Sequence, residues 1–303
     1  MRVIFLGTPD FAVASLKALV EHKIEVVAVV TAPDKPAGRG MNLQQSAVKK
    51  YAVEQQIPVL QPEKLKDPLF LEELKSFKAD IQVVVAFRML PEVVWNMPHK
   101  GTINVHASLL PNYRGAAPIN WAIINGEKST GVTTFKLKHQ IDTGNILLQN
   151  EIPILPDDTA GTLHDKLMHL GAELIVKTLE KIASDDIVER EQSFVEEAKH
   201  APKLFTETCK IDWNNKVESV YNKIRGLSPY PAAFTLLNNK VLKLYRTQKI
   251  NLEHHDVPSS IQTDGKTFLR FACTDGYIQV DELQLEGKKR MLTADFLRGN
   301  KID

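Results

Sequence analysis

Arg2-Val3-Ile4-Phe5-Leu6 and Ile24-Glu25-Val26-Val27-Ala28-Val29-Val30 decide the fold of this chain. Both runs are short, apolar and rich in β-branched residues, a composition that suits a pleated strand. Between them, from about Asp10 to Val20, Phe11, Ala14, Leu16, Ala18 and Leu19 recur at helical spacing. The three stretches form a βαβ unit. Thr8 is placed to cap the helix, Pro9 suits its first turn, and Asp10 complements the helix dipole at its start.

Outward from this unit the alternation continues. Strand patterns lie at Val59-Leu60, Ile81 to Ala86, Thr102 to Val105, Val132 to Leu137 and Ile146 to Ile154. Helical patterns lie at about Ser46–Gln56, Pro68–Phe77, Ala117–Ile124 and Thr162–Ile182. Apolar strands alternating with helices indicate an α/β domain with a doubly wound, mostly parallel sheet, whose ligands sit at the carboxyl ends of the strands. The pattern breaks into a polar linker at Ser184 to Lys203. After it come one short helix, about Val217–Arg225, and strand-like runs at Ala233–Leu237, Val241–Arg246, Phe268–Ala272 and Tyr277–Leu285. Short strands separated by turn residues read as a small β-barrel.

The bulk numbers fit two unequal domains. The chain has 303 residues, 43% of them hydrophobic, with 38 Lys+Arg against 37 Asp+Glu, which excludes a disordered tail, a disulfide scaffold and a coiled coil. Cys209 and Cys273 lie far apart without metal-ligand spacing, as expected in a reducing compartment. The longest apolar runs, about seven residues, fall short of the roughly 20 that a spanning helix needs, and Arg2 to Gly7 enters a strand at once. A cytoplasmic location and no membrane association are expected. From residue 201 onward 16 Lys+Arg face 12 Asp+Glu, so a polyanion would prefer the C-terminal part. A solvated basic face accounts for that bias equally well.

The densest polar constellation is Asn104-Val105-His106-Ala107-Ser108-Leu109-Leu110-Pro111, at a strand end. Alternate side chains of an extended chain share a face, so Asn104, His106 and Ser108 point the same way. Asn can hold a developing oxyanion, and His can manage a proton near neutral pH. A lone strand-end histidine is nevertheless more often structural. Asp142-Thr143-Gly144 offers a carboxylate that could pair with His106, but Asp followed by Gly reads first as an Asx-turn. The segment Pro33-Asp34-Lys35-Pro36-Ala37-Gly38-Arg39-Gly40 is expected to be an irregular surface loop, made basic by Lys35, Arg39, Lys49 and Lys50. It could clamp a phosphate backbone or be a plain connection. Ser108 lacks a G-x-S-x-G elbow, no dinucleotide or P-loop fingerprint occurs, and neither His164/His169 nor His254-His255 has zinc-binding spacing, so no metal is expected.

Taken in order, VIFLGTPDFA (3–12), TAPDKPAGRG (31–40), INVHASLLPNYRGAAPINWAIINGE (103–127), IDTGNIL (141–147) and RGLSPYPAAF (225–234) resemble the methionyl-tRNA formyltransferases among the folate-dependent formyltransferases. The resemblance runs over most of the chain. It implies a Rossmann-like formyltransferase domain over residues 1–189, a linker over 190–208 and an OB-like β-barrel that binds tRNA over 209–303. It also implies catalytic roles for Asn104, His106 and Asp142, folate binding at Ser108, Leu109, Leu110 and Pro111, and an approach of Arg39 to the acceptor end of initiator tRNA. The implied reaction moves a formyl group from 10-formyltetrahydrofolate, as co-substrate, to methionyl initiator tRNA, in a monomer without metal.

Lys35, Lys210, Arg225, Lys243 and Arg246 are further candidates for tRNA contact, with Lys216, Lys223, Lys249 and Arg270 in the same basic domain. The sequence departs from the family at Ala86-Phe87-Arg88-Met89-Leu90-Pro91, where Arg88 replaces a glycine beside the pterin pocket. Its side chain is expected either in solvent or paired with the glutamate tail of the folate. Two rival readings are a formyltransferase for an amino sugar nucleotide and a non-catalytic RNA-binding protein on a decayed enzyme fold.

Overall fold

The computed structural model describes residues 1–37, 42–192 and 198–302. Two compact units are present. One comprises Met1–Arg114, Thr130–Ile152 and His164–Lys199, and the other Gly115–Ser129, Pro153–Leu163 and His200–Asp303. The second unit therefore takes in two segments that lie within residues 1–189.

The first unit is built on a seven-stranded sheet. Strands β1 (Arg2–Gly7), β2 (Glu25–Val30), β5 (Val59–Leu60), β6 (Ile81–Val85), β7 (Thr102–His106), β9 (Ser129–Lys136) and β10 (Ile146–Pro153) lie in the order β10-β9-β7-β6-β1-β2-β5. β5, β2, β1, β6 and β7 pair in parallel, and β9 joins β7 antiparallel. This is the mixed, Rossmann-like sheet expected from the alternating pattern.

Helices α1 (Asp10–Glu21), α2 (Ala47–Glu54), α3 (Pro68–Ser76) and α4 (Glu92–Trp95) make the crossovers, and α6 (Ala160–Ala183) follows the last strand. Helix α1 buries Phe11, Ala12, Ser15, Leu16 and Leu19, one face at helical spacing. Its N-cap is Pro9, with no side-chain cap, so the expected Thr8 cap is not made. Thr8 lies one residue too early, and its carbonyl faces the Val48 N–H at 3.5 Å instead. At the strand end Gly7 is required by packing, because a Cβ there would lie 2.6 Å from that of Ala12. One face of the sheet packs Ile4, Leu6, Ala28, Val30 and Val84 against Phe70 and Leu74 of α3. Each buried Ile, Leu, Val or Phe here stabilises the fold by roughly 1.5–3 kcal/mol relative to exposure.

Lys35–Ala37, expected as irregular loop, forms strand β3 and pairs antiparallel with β4 (Asn42–Gln44). Pro36 does not prevent it, because a two-stranded ribbon consists of edges, where proline is tolerated. Arg39 lies outside the described residues.

The second unit contains α5 (Pro118–Ile124), α7 (Thr206–Cys209), α8 (Val217–Leu227) and α9 (Thr293–Gly299), besides β12 (Ala233–Leu237), β13 (Lys240–Ile250), β14 (Ile261–Thr263), β15 (Leu269–Ala272), β16 (Tyr277–Leu285) and β17 (Met291–Leu292). The two-residue strands β8 (Arg114–Gly115) and β11 (His200–Ala201) complete the inventory. β12-β13-β16-β15-β14 form a curled antiparallel half-barrel, with β17 on β16. Its core is apolar residues of alternate strand positions, Leu242, Leu244, Leu269, Phe271, Ile278, Val280 and Leu283, closed by Val220, Ile224 and Leu227 of α8. Trp213 stacks on Phe271 with ring centroids 4.7 Å apart and donates its indole N–H to Thr235. No helix among the described residues is long and apolar enough to cross a membrane.

Candidate active site

Strand β7 ends at His106, at the carboxyl edge of the first unit's sheet. Its register against β9 pairs Asn104 with Phe135 and His106 with Thr133, so the two polar side chains share a face. His106 is buried, and its ring lies edge-on to Phe135, which is itself fully buried. Nε2 is 2.8 Å from the Tyr113 carbonyl oxygen. A carbonyl only accepts, so Nε2 carries a proton and Nδ1 faces the other way. There the Asp142 carboxylate oxygen Oδ2 lies 3.9 Å from Nδ1, with both side chains about nine-tenths buried. Asn104 is half-buried beside this pair, and among the described residues its side-chain amide has no hydrogen-bond partner.

The turn that carries Asp142 is held from several directions. Asp142 sits at φ 54°, a left-handed conformation that aspartate tolerates. At Gly144 a Cβ would lie 1.5 Å from the Lys136 carbonyl oxygen, so only glycine fits. Gln192 donates its amide to the carbonyls of Asp142 at 2.9 Å and Gly144 at 2.8 Å, while its own oxygen accepts from Arg114. Arg190 pairs with Ile146 in an isolated antiparallel bridge, and Glu189 binds Lys136 at 2.5 Å and Asn145 at 3.0 Å. Sequence reasoning read residues 190–192 as linker and missed this support. The Tyr113 carbonyl was missed as well, because a backbone acceptor leaves no mark in side-chain identity.

The segment after His106 has an interior role. The Ser108 hydroxyl, fully buried, donates to the Asn112 carbonyl at 2.7 Å, so it is committed to closing its own turn. Thr133 donates to the Ser108 carbonyl and accepts from the Leu110 N–H. Leu110 is buried against Phe135 and Ile146, whereas Leu109 and Pro111 are half-buried. Leu109 and Pro111 are therefore the parts of the Ser108–Pro111 segment left for a ligand. Arg88 is exposed, and its guanidinium donates to the carbonyls of Glu63, at 2.9 Å, and Pro62.

The candidate cations separate into groups. Lys35 is exposed on β3. Lys210 and Lys243 flank Phe234 in one cross-strand row, and Arg246 follows on the same strand opposite Glu282. Lys210 and Arg246 are exposed and Lys243 is half-buried, with Arg246 3.8 Å from Asp281. Arg225 does not join them, which corrects the expectation of an RNA contact there. It is buried, and its guanidinium donates to Asn222 and to the carbonyls of Leu155 and Asp158, at 2.8, 3.3 and 2.9 Å. Burial pulls its pKa down, yet an arginine remains charged, so these carbonyls hold a buried cation within the fold. Among the described residues no group of three or more His, Cys, Asp and Glu could hold a metal ion.

The sequence pattern of the Formyl transferase family matches residues 1–179, and that of the Formyl transferase, C-terminal domain family matches residues 203–301. A Bacteroides fragilis protein named methionyl-tRNA formyltransferase is 55% identical over 307 residues, covering 99% of this chain and 95% of that one. Among solved structures, the Helicobacter canadensis N-formyltransferase in complex with folinic acid and dTDP-3-aminofucose matches with a TM-score of 0.70 at 21% identity, over 95% of this chain and 99% of that one. HypX from Aquifex aeolicus, in complex with tetrahydrofolic acid, matches at 0.67 and 20% identity, covering 100% of this chain and 48% of its own. At such identities the two structures establish a shared fold.

Proposed function

The chain belongs to the formyl transferase family, and we propose that it transfers a formyl group from 10-formyltetrahydrofolate to the α-amine of methionyl initiator tRNA. The observation that carries this reading is His106, held between the Tyr113 carbonyl and the Asp142 carboxylate, with the Asn104 amide, which has no partner among the described residues, on the same face. Two such donors suit a carbonyl oxygen that gains negative charge. The relatives above 50% identity carry one name over nearly the whole chain, whereas the sugar-modifying neighbours share only the fold.

The folate supplies the formyl group on its N10. Asn104 donates its amide N–H to the formyl oxygen as the amine of the methionyl ester attacks the formyl carbon. His106 keeps one proton on the Tyr113 carbonyl through Nε2. A second proton on Nδ1 then faces both the Asp142 carboxylate and the reacting oxygen, so the ring works as an imidazolium donor. Asp142, 3.9 Å from His106, takes up the proton that the amine loses and returns it to N10 as the carbon–N10 bond breaks. Leu109 and Pro111 give the folate an apolar wall. Lys35 and Arg39 in the first unit, and Lys210, Lys243 and Arg246 in the barrel read as residues 209–303, bind the tRNA phosphates.

The test is formyl transfer from 10-formyltetrahydrofolate to methionyl initiator tRNA, with methionyl elongator tRNA and a 4-amino sugar nucleotide in parallel. Formylation of the initiator alone is the expected result. Formylation of the sugar nucleotide alone would retain the chemistry and overturn the acceptor. Release of formate without transfer would overturn both.

A further inference from the structure

The hairpin β3–β4 is too short to fix its own direction. Its ladder consists of Lys35 with Gln44, Pro36 with Leu43 and Ala37 with Asn42, and an isolated two-stranded ribbon is marginal in water even when longer. Its base, however, is tied on both legs. On the inner side the Thr31 and Ser46 hydroxyls are 2.7 Å apart, joining the residue after β2 to the N-cap of α2. Nearer the strands, the Asp34 carboxylate accepts from Lys49 Nζ at 2.5 Å, joining the residue before β3 to the first turn of α2. Gln61, just beyond β5, donates to both the other Asp34 oxygen and the Ala32 carbonyl, each at 2.8 Å.

These ties are not ordinary surface contacts. Thr31 is fully buried, and the side chains of Asp34 and Lys49 are only 20% and 18% exposed. Hydrogen bonds from Lys49 and Gln61 hold the Asp34 carboxyl below the usual carboxylate range, so the tie is intact throughout neutral pH. Lys49 is consequently neutralised within the protein, while Lys35 and Lys50 remain exposed. The basic character of this region divides into one cation that anchors and others that face outward.

We propose that Asp34, Lys49, Gln61, Thr31 and Ser46 form a two-sided clamp that aims the β3–β4 arm, and that this aim positions the arm for the acceptor end of the tRNA. The proposal rests on the acceptor assigned under Proposed function. Asp34 and Lys49 are positioning residues: they touch neither the reacting atoms nor the folate, and act through the arm.

The test uses Asp34→Asn, Lys49→Asp and the reversed pair Asp34→Lys with Lys49→Asp in the full chain. KM for methionyl initiator tRNA is expected to rise about 10-fold in each single variant, the scale of one charge-assisted hydrogen bond. The kcat and the KM for 10-formyltetrahydrofolate stay unchanged, and the reversed pair recovers part of the loss. Amide exchange of Lys35, Ala37 and Asn42–Gln44 accelerates in the single variants and slows again in the reversed pair. Single variants with the tRNA KM and the exchange rates of an active wild type would overturn the clamp alone. So would a parallel loss of kcat and folate affinity, which marks general damage to the fold. A wild type that leaves the tRNA unformylated overturns the acceptor assignment, and the exchange rates then decide whether the clamp exists at all.

Discussion

The turn that presents Asp142 and the hairpin that follows β2 both extend from strands of the first unit's sheet, but they are held by different means. Around Asp142 the restraints fall mostly on main-chain carbonyls. Gly144 lies against the Lys136 carbonyl and Gln192 binds the carbonyls of Asp142 and Gly144, while His106 is itself held by the Tyr113 carbonyl. At the hairpin the restraints are mainly side-chain pairs confined to the base, Asp34 with Lys49 and Gln61 and Thr31 with Ser46, with one further bond from Gln61 to the Ala32 carbonyl. The contrast follows from the tasks proposed for each. A proton donor must sit within a fraction of an ångström of its target, whereas an arm that meets a flexible polyanion needs only its direction set.

The largest effect is expected at the chemistry. His106→Ala should lower kcat by about 10²–10³, the effect of removing one oxyanion donor, with tRNA affinity retained. Stopped-turnover assays that show a loss below about 10-fold would remove His106 from the reacting atoms. Gly144→Ala comes next. Its Cβ cannot occupy a position 1.5 Å from the Lys136 carbonyl oxygen, so the turn must shift and carry Asp142 with it. A displacement on the order of 1 Å should cost about 10²-fold in kcat while leaving the tRNA KM unchanged.

The arm should respond in the opposite sense. Lys35→Ala is expected to raise the tRNA KM only a few-fold and to reduce the slope of its logarithm against log salt by about one, the signature of a single phosphate contact. A titration in KCl checks this, and an unchanged slope would detach Lys35 from the RNA. Arg225→Met should instead destabilise the second unit by about 1–3 kcal/mol, because the Leu155 and Asp158 carbonyls lose their buried donor. Denaturant melts measure that loss, and the salt slope of tRNA binding should not move. The smallest effect concerns the thiols. Burial pushes Cys273 up to about 12 and raises Cys209 as well, so both stay protonated and inert at pH 8. A thiol reagent should label them only after unfolding.

Much of this was legible in the sequence because the signals are local. The periodicity of residues 2–30 is carried by neighbouring positions, and the structure places β1, α1 and β2 within one residue of the expected limits. In the second unit Ala233–Leu237 and Tyr277–Leu285 form strands with the limits read from their turn residues. The hairpin β3–β4 was not legible. Its strands are three residues long and include Pro36, and local propensity there opposes what the clamp imposes. Short elements such as α4 and β14 escaped for the same reason, since four or three residues carry no period. Arg88 and Arg225 look alike as cations in a sequence. The first is exposed and binds two carbonyls at the surface, while the second is buried and binds two in the interior.

The alternation of strands and helices, the shared face of Asn104 and His106, and the family resemblance can all be read from residue order, because each depends on spacing along one stretch of chain. Tertiary structure alone decided what the site's groups do to one another. His106 meets the Tyr113 carbonyl on one nitrogen and Asp142, 36 residues away, on the other, and Gln192 reaches the Asp142 turn from a segment that reads as linker. Such partnerships are set by strand register and by where loops close. Those depend on packing the whole unit, and no local pattern of residue types records them.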